Sequence, residues 1–185
     1  AVESFIGTPV PGTLSVPGVL FLAAGCGIEH ARAAIEGLDD IDISHDNCPH
    51  QIILCGVEAS IAVARERLEA EQYLCQELPF KSGFHSSLFT DYVVPHQAHF
   101  ESLPIVAPDI PLWSATTGAP YGTDPDGIRH IATDHLVKPV RFRQVIEGLY
   151  AEGVRVFIQM GTGSLSSFVG DTLRGRPHLA LSALD

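Results

Sequence analysis

Basic side chains are scarce in this sequence: 11 Lys and Arg stand against 22 Asp and Glu in 185 residues, a formal charge of −11 at pH 7. Such a chain has too few cations to displace counterions from phosphates, which excludes nucleic-acid binding. Long apolar runs are also lacking. No stretch approaches the ~20 apolar residues of a membrane-spanning helix. No charged start followed by an apolar middle marks a signal peptide. The four cysteines, Cys26, Cys48, Cys55 and Cys75, show no C-x-x-C spacing. They lie in apolar neighbourhoods such as "ILCG" and "YLCQ", as buried free thiols do. The expectation is a soluble protein of a reducing cytoplasm.

What is present supports a real core. The chain is 45% hydrophobic, and its length fits one domain, or one domain with a small subdomain. Charge is uneven: residues 1–103 hold four basic and fourteen acidic side chains, residues 104–185 seven and eight. Arg129, Lys138, Arg141, Arg143, Arg155, Arg174 and Arg176 either gather into a basic face for an anionic partner or dissolve into a solvated, mixed-sign surface. The second is the simpler expectation.

Residues 1–17, with three prolines and two glycines, read as a linker or loop. "VLFLAAG" then reads as a strand and "IEHARAAIEGL" as a helix with Ala31, Ala34, Ile35 and Leu38 on one face. "IDIS" and "QIILCG" read as two strands joined by a turn in "HDNCPH". A helix in "EASIAVARERLEAEQ" sets Val57, Ile61, Ala64 and Leu68 in one stripe, and "YLCQELPF" is a fourth strand. The order β-α-β-β-α-β predicts a ferredoxin-like subdomain over residues 18–80, an antiparallel sheet with both helices on one face. Residues 81–185 read as a helix over Leu88–Leu103 punctuated by Pro95, a strand "PLWSAT", helices in "IRHIATDHL" and "RFRQVIEGLYAEG", a strand "VRVFIQM", a helix in "LSSFVGDTL" and a last strand "HLALSAL". Alternating helix and strand predicts a parallel layer. About three strands are too few for a sheet of its own, which averages roughly five, so this part belongs to a larger layer.

Five segments, in order, resemble the acyltransferase domains of polyketide and fatty acid synthases, the malonyl-CoA:acyl-carrier-protein transacylases. "VPGVLFLAAG" is similar to their P-G-A-M-L-A-V strand, "NCPHQIILCG" to N-x-P-x-Q-x-V-x-x-G, and "GFHSSLF" to A-F-H-S-x-L-M. "LVKPVRF" resembles L-R-x-P-V-R-F, and "GVRVFIQMGTGSL" resembles G-V-x-x-F-[IV]-E-V-G-P-G. The resemblance covers nearly all of residues 16–184. It implies an α/β fold in which the ferredoxin-like subdomain is inserted into an α/β-hydrolase-like core, with residues 81–185 the C-terminal part of that core.

By the same resemblance, His85 is the general base that deprotonates a serine in G-H-S-x-G, and the carbonyl of His135, where the family carries Gln or Asn, orients it. An acyl group then passes from coenzyme A to the serine and on to the phosphopantetheine thiol of an acyl carrier protein, with no bound cofactor. A serine hydroxyl is a poor nucleophile until a base of near-neutral pKa takes its proton. Phe84 falls where malonyl-selective domains carry phenylalanine, and Asn47 lies near the acyl pocket or simply in a turn. G-H-S-x-G itself occurs nowhere in these residues, and none of the nine arginines matches the family's carboxylate-binding position. The expectation is therefore a C-terminal portion, inactive without the remaining N-terminal part of the acyltransferase domain. The competing expectation is a non-catalytic ferredoxin-like binding or docking module, with His85 a packed ring. Ser164 in "GTGSL" fails the nucleophile-elbow pattern and reads as a helix cap. "GTGSLSS" lacks the third glycine of a dinucleotide site. His96 and His99 have metal-ligand spacing, but no cysteine or carboxylate stands out as a co-ligand in the sequence, so solvent exposure is the default and no metal is expected.

Overall fold

The computed structural model describes residues 16–184, so the linker expected over 1–17 lies almost wholly outside them. Strand β1 (Val19–Ala24), helix α1 (Ile28–Ile35), strands β2 (Ile41–Cys48) and β3 (Gln51–Val57), helix α2 (Glu58–Ala70) and strand β4 (Cys75–Leu78) follow the predicted order. The strands form one antiparallel sheet in the order β2-β3-β1-β4, the ferredoxin-like arrangement.

Strand alternation divides the sheet between two cores. Leu22, Ala24, Ile52 and Leu54 pack with Ala31, Ala34, Ile61, Ala64 and Leu68 of the two helices. Val19, Phe21 and Cys55 face the other way, against Val16, Phe89 and Val93, with Phe84, Leu136 and Val137 at the margin. Burial on both faces explains why "QIILCG" is apolar throughout rather than alternating.

Two sequence expectations are corrected. Strand β2 does not stop at Ser44 but runs to Cys48, so only Pro49 and His50 turn. Its outer edge is paired: the Val140 amide donates to the Ser44 carbonyl at 2.9 Å and the Asp46 amide to the Val140 carbonyl at 2.8 Å, a short parallel bridge. That pairing holds "SHDN" extended against its turn propensity. The helix expected over Leu88–Leu103 is broken into a 3₁₀ turn, α3 (Thr90–Val93), a second 3₁₀ turn around Pro95 and α4 (Gln97–Ser102), because Pro95 supplies no amide and crowds the preceding turn.

Beyond them a small hairpin, β5 (Trp113–Ser114) and β6 (Ala119–Pro120), precedes α5 (Pro125–Asp134), which Asp124 caps by accepting from the Gly127 amide at 2.8 Å. Then come α6 (Phe142–Ala151), β7 (Val156–Gln159), α7 (Leu165–Thr172) and β8 (Leu179–Ser182). Strands β7 and β8 pair in parallel through α7, as predicted. Phe157 and Ala180 pack on Ile146, Val169 and Leu173 of the helices. Val156, Ile158, Leu179 and Leu181, on the opposite face, are each about half exposed. Among the described residues no helix is long and apolar enough to cross a membrane, and all four cysteines are free thiols.

One ion pair fastens the two parts. Arg143 of α6 grips the Asp46 carboxylate with Nε at 3.0 and 3.1 Å and Nη2 at 2.8 Å, while Nη1 reaches Glu147 at 3.1 Å. The Asp46 side chain is only 3% exposed. Truncating one partner of such a pair strands a buried charge, at a cost of about 3–5 kcal/mol. Arg143→Met is therefore expected to lower stability by roughly 3 kcal/mol in urea unfolding followed through the single tryptophan, Trp113. An unchanged midpoint would remove this pair from the forces joining β2 to α6.

Candidate active site

The segment Gly83–Ser87 connects the ferredoxin-like sheet to the broken helix. Its composition is explained by its backbone. Gly83 and His85 both take left-handed conformations, φ +74° and +61°, the first natural for glycine and the second strained for a side-chain-bearing residue. Ser86 is buried and donates its hydroxyl to the Gly83 carbonyl at 2.7 Å. The amide and hydroxyl of Ser87 both donate to Asp42 of β2, at 2.7 and 2.6 Å. The two serines beside His85 therefore hold the loop's shape.

His85 is tied to two consecutive carbonyls. Its amide donates to Leu136 O at 2.8 Å, and its ring Nδ1 lies 2.6 Å from His135 O. His135 follows the last residue of α5, where carbonyls lack intrahelical partners and carry the helix's partial negative charge. Since a carbonyl can only accept, Nδ1 carries the proton and Nε2 of the neutral ring keeps its lone pair.

Two further imidazoles flank this ring. His135 lies 4.6 Å away between centroids, tilted by 56°, with its Nδ1 2.9 Å from the hydroxyl of the buried Thr116. His45 stands edge-on at 5.0 Å and 83°, its Nδ1 2.7 Å from the Ser44 hydroxyl. Burial lowers the pKa of all three. For His85 the bond to the His135 carbonyl opposes that shift in part. For His135 burial acts alone. His45 falls from 6.5 to about 3, through burial first and then repulsion from His85 and His135. The cluster is neutral at pH 7 and suited to accepting a proton at His85 Nε2.

The other expected residues are placed as follows. Phe84 stacks its ring on Phe89 at 4.3 Å, tilted by 47°, with its centroid 6.2 Å from that of His85. Asn47 is buried, and its amide donates to Gln51 Oε1 at 2.8 Å across the hairpin. Ser164 starts α7 without capping it by its side chain; instead Gln159 Oε1 accepts from the Ser166 amide at 2.8 Å, correcting the expected serine cap. Four of the seven rear-half basic residues are paired with carboxylates, namely Arg129, Lys138, Arg143 and Arg174, so the mixed-sign surface prevails. Among the described residues no group of three or more His, Cys, Asp or Glu is arranged to hold a metal ion. His45 escaped the sequence reading because "HDNCPH" looks like a turn. No periodic signal carries through it, since the segment is polar and the pairing with β3 shifts register between Ile43 and His45 and again between Asp46 and Cys48.

No family model matches the chain. Curated relatives do. The malonyl CoA-acyl carrier protein transacylase of Bacillus subtilis is 31% identical over 83% of this chain and 54% of its own length. The polyketide biosynthesis protein ThaF of Burkholderia thailandensis is 32% identical over 78% of this chain and 13% of its own length. The chain thus spans about half of the first of these relatives and a smaller part of the second. Among solved structures, the malonyl CoA-acyl carrier protein transacylase of Clostridium perfringens superimposes with a TM-score of 0.83 at 24% identity, over 98% of this chain and 57% of its own. That likeness is one of fold.

The lowered histidine pKa values make stability depend on pH. With pKa depressed in the folded state, the unfolded chain binds protons that the folded one refuses. For His45 the stability is complete above pH 6.5 and is lost as the pH falls toward 3, and His85 and His135 act in the same direction. Unfolding free energy measured in urea is expected to drop between pH 7 and pH 5, by up to about 1.4 kcal/mol per pH unit from one such group. Stability that stays flat over that range would show that these rings charge freely in the fold.

Proposed function

We propose, because this chain belongs to the acyltransferase-domain family of malonyl-CoA:acyl-carrier-protein transacylases and polyketide synthases and spans part of its length, that it supplies the proton-transfer half of a malonyl transferase. The observation that carries this reading is the 2.6 Å contact between His85 Nδ1 and the His135 carbonyl. It leaves a neutral imidazole with Nε2 free to act, oriented by a main-chain oxygen instead of a carboxylate.

In the proposed reaction, Nε2 of His85 takes the proton of a serine hydroxyl that lies outside these residues while that oxygen attacks the thioester carbon of malonyl-CoA. The tetrahedral intermediate collapses by breaking the carbon–sulfur bond, and the imidazolium returns its proton to the departing coenzyme A sulfur. In the second half, His85 takes the proton of a carrier-protein phosphopantetheine thiol as its sulfur attacks the serine ester. The proton then goes back to the serine oxygen. During both halves the His135 carbonyl stabilises the transient imidazolium through Nδ1–H. The helix C-terminus that offers this carbonyl has the right polarity for a cation.

Phe84 is the proposed limit on acyl size. Its packing on Phe89 keeps the ring in one place, and an added α-methyl meeting it is worth about 1–3 kcal/mol of discrimination. Asn47 contributes to the acyl pocket by shaping the β2–β3 hairpin through Gln51. The remaining N-terminal part of the domain is the proposed partner of the exposed apolar face of Val156, Ile158, Leu179 and Leu181, where it extends the parallel pair into a full layer.

Supplying the serine-bearing segment upstream of this chain is expected to give malonyl transfer from coenzyme A to a carrier protein, whereas residues 1–185 alone give none. In the extended polypeptide His85→Ala is expected to slow serine acylation at least ~100-fold, followed by mass spectrometry of the acyl-enzyme. Undiminished acylation by that variant would take His85 out of the mechanism.

A further inference from the structure

We infer that His45 is a positioning residue for His85: its ring, fixed on strand β2, confines the His85 imidazole to the orientation that keeps Nδ1 on the His135 carbonyl. The inference rests on the reading of His85 as the base.

One hydrogen bond does not fix a ring. Hydrogen bonds tolerate broad angular deviation, and the terminal torsion of a histidine is soft. A bond through Nδ1 alone therefore leaves the His85 ring free to swing, and a flipped ring would present the wrong nitrogen. Flanking rings remove that freedom, His135 at 4.6 Å and 56° and His45 edge-on at 5.0 Å and 83°.

His45 is itself anchored, by its backbone on both sides and by its ring through one contact. Its backbone lies in β2 between two neighbours, paired with Ile53 of β3 on one side and bridged to Val140 on the other. Its Nδ1 is held 2.7 Å from the hydroxyl of Ser44, which is fully buried. An edge-to-face ring pair at this separation is in the favourable range for aromatic contacts.

The residue type also suits the task. An acid at this place would hold His85 protonated, and a lysine or arginine would repel the imidazolium that forms in catalysis. A ring that stays uncharged does neither. The nearby carboxylates are engaged elsewhere, Asp42 with Ser87 and Asp46 with Arg143.

Two variants of the full chain separate ring packing from hydrogen bonding. His45→Phe keeps a ring and loses the bond to Ser44; His45→Gln keeps a polar group for Ser44 and loses the ring. Long-range proton–nitrogen NMR correlations of the His85 ring report which nitrogen carries the proton, and the amide spectrum confirms that each variant is folded. His45→Phe is expected to retain the Nδ1–H preference. His45→Gln is expected to weaken it by about 3- to 10-fold in population, the scale of one lost aromatic pair. An unaltered His85 tautomer in folded His45→Gln would overturn the inference, as would a loss in His45→Phe at least as large as that in His45→Gln, which would tie the effect to the imidazole's own hydrogen bonding and not to ring packing.

In the serine-bearing polypeptide, His45→Gln should lower kcat by a similar factor with KM unmoved, and His45→Phe should restore it. If the parent polypeptide shows no transfer at all, the catalytic reading fails. The tautomer comparison would still stand on its own.

Discussion

A carbonyl oxygen cannot donate, and this constraint decides the chemistry of the site. Because the His135 oxygen lies 2.6 Å from His85 Nδ1, in the neutral ring that nitrogen bears the proton and the other does not. The two residues are fifty positions apart, so the fold's task is to hold a strained loop and a helix C-terminus in register. Strand β2 serves as the common rail. It takes the loop through Asp42 and Ser87 and the segment after α5 through its bridge to Val140. It takes α6 through the Asp46–Arg143 pair. A buried ion pair of this kind is weak evidence of net stabilisation, and its geometric role here is the set of three nitrogen–oxygen contacts that join β2 to α6.

The same rail accounts for polar residues where a core would be expected. Ser44, Asp46, Asn47 and Ser86 are all buried. Each has a hydrogen-bond partner, in the sheet for Ser44 and Asn47, in the loop for Ser86 and on α6 for Asp46, which is what makes polar burial tolerable. Desolvation then acts on the histidines, keeping them neutral at the pH where a base is needed. In the proposed reaction, the burial that lowers the pKa of His85 is also what keeps it an uncharged base.

Legibility in the sequence followed apolar content. The strands and helices of the ferredoxin-like sheet could be read from periodicity, because Leu22, Leu54, Ile61 and Leu68 obey the spacing of the element they build. The parallel pairing of β7 with β8 was legible in the same way. Polar strand residues were not: "SHDN" has turn propensity, and pairing with β3 on one side and Val140 on the other makes it extended. His45 was lost with that segment. The broken helix after His85 was half legible, since Pro95 announced a break without giving its form. His85 itself was identified by resemblance to a family, because a histidine beside two serines has no periodic signal. The serines proved to shape the loop, and a side chain 40 positions earlier was found beside the ring instead.

The most direct measurement is a pH titration of the His85 ring nitrogens in the unmodified chain, observed by nitrogen NMR. The account predicts a proton on Nδ1 at both ends of the titration and on Nε2 only at the acid end, with a midpoint below the 6.5 of an unperturbed histidine. A neutral ring protonated on Nε2, or a midpoint at or above 6.5, would contradict it.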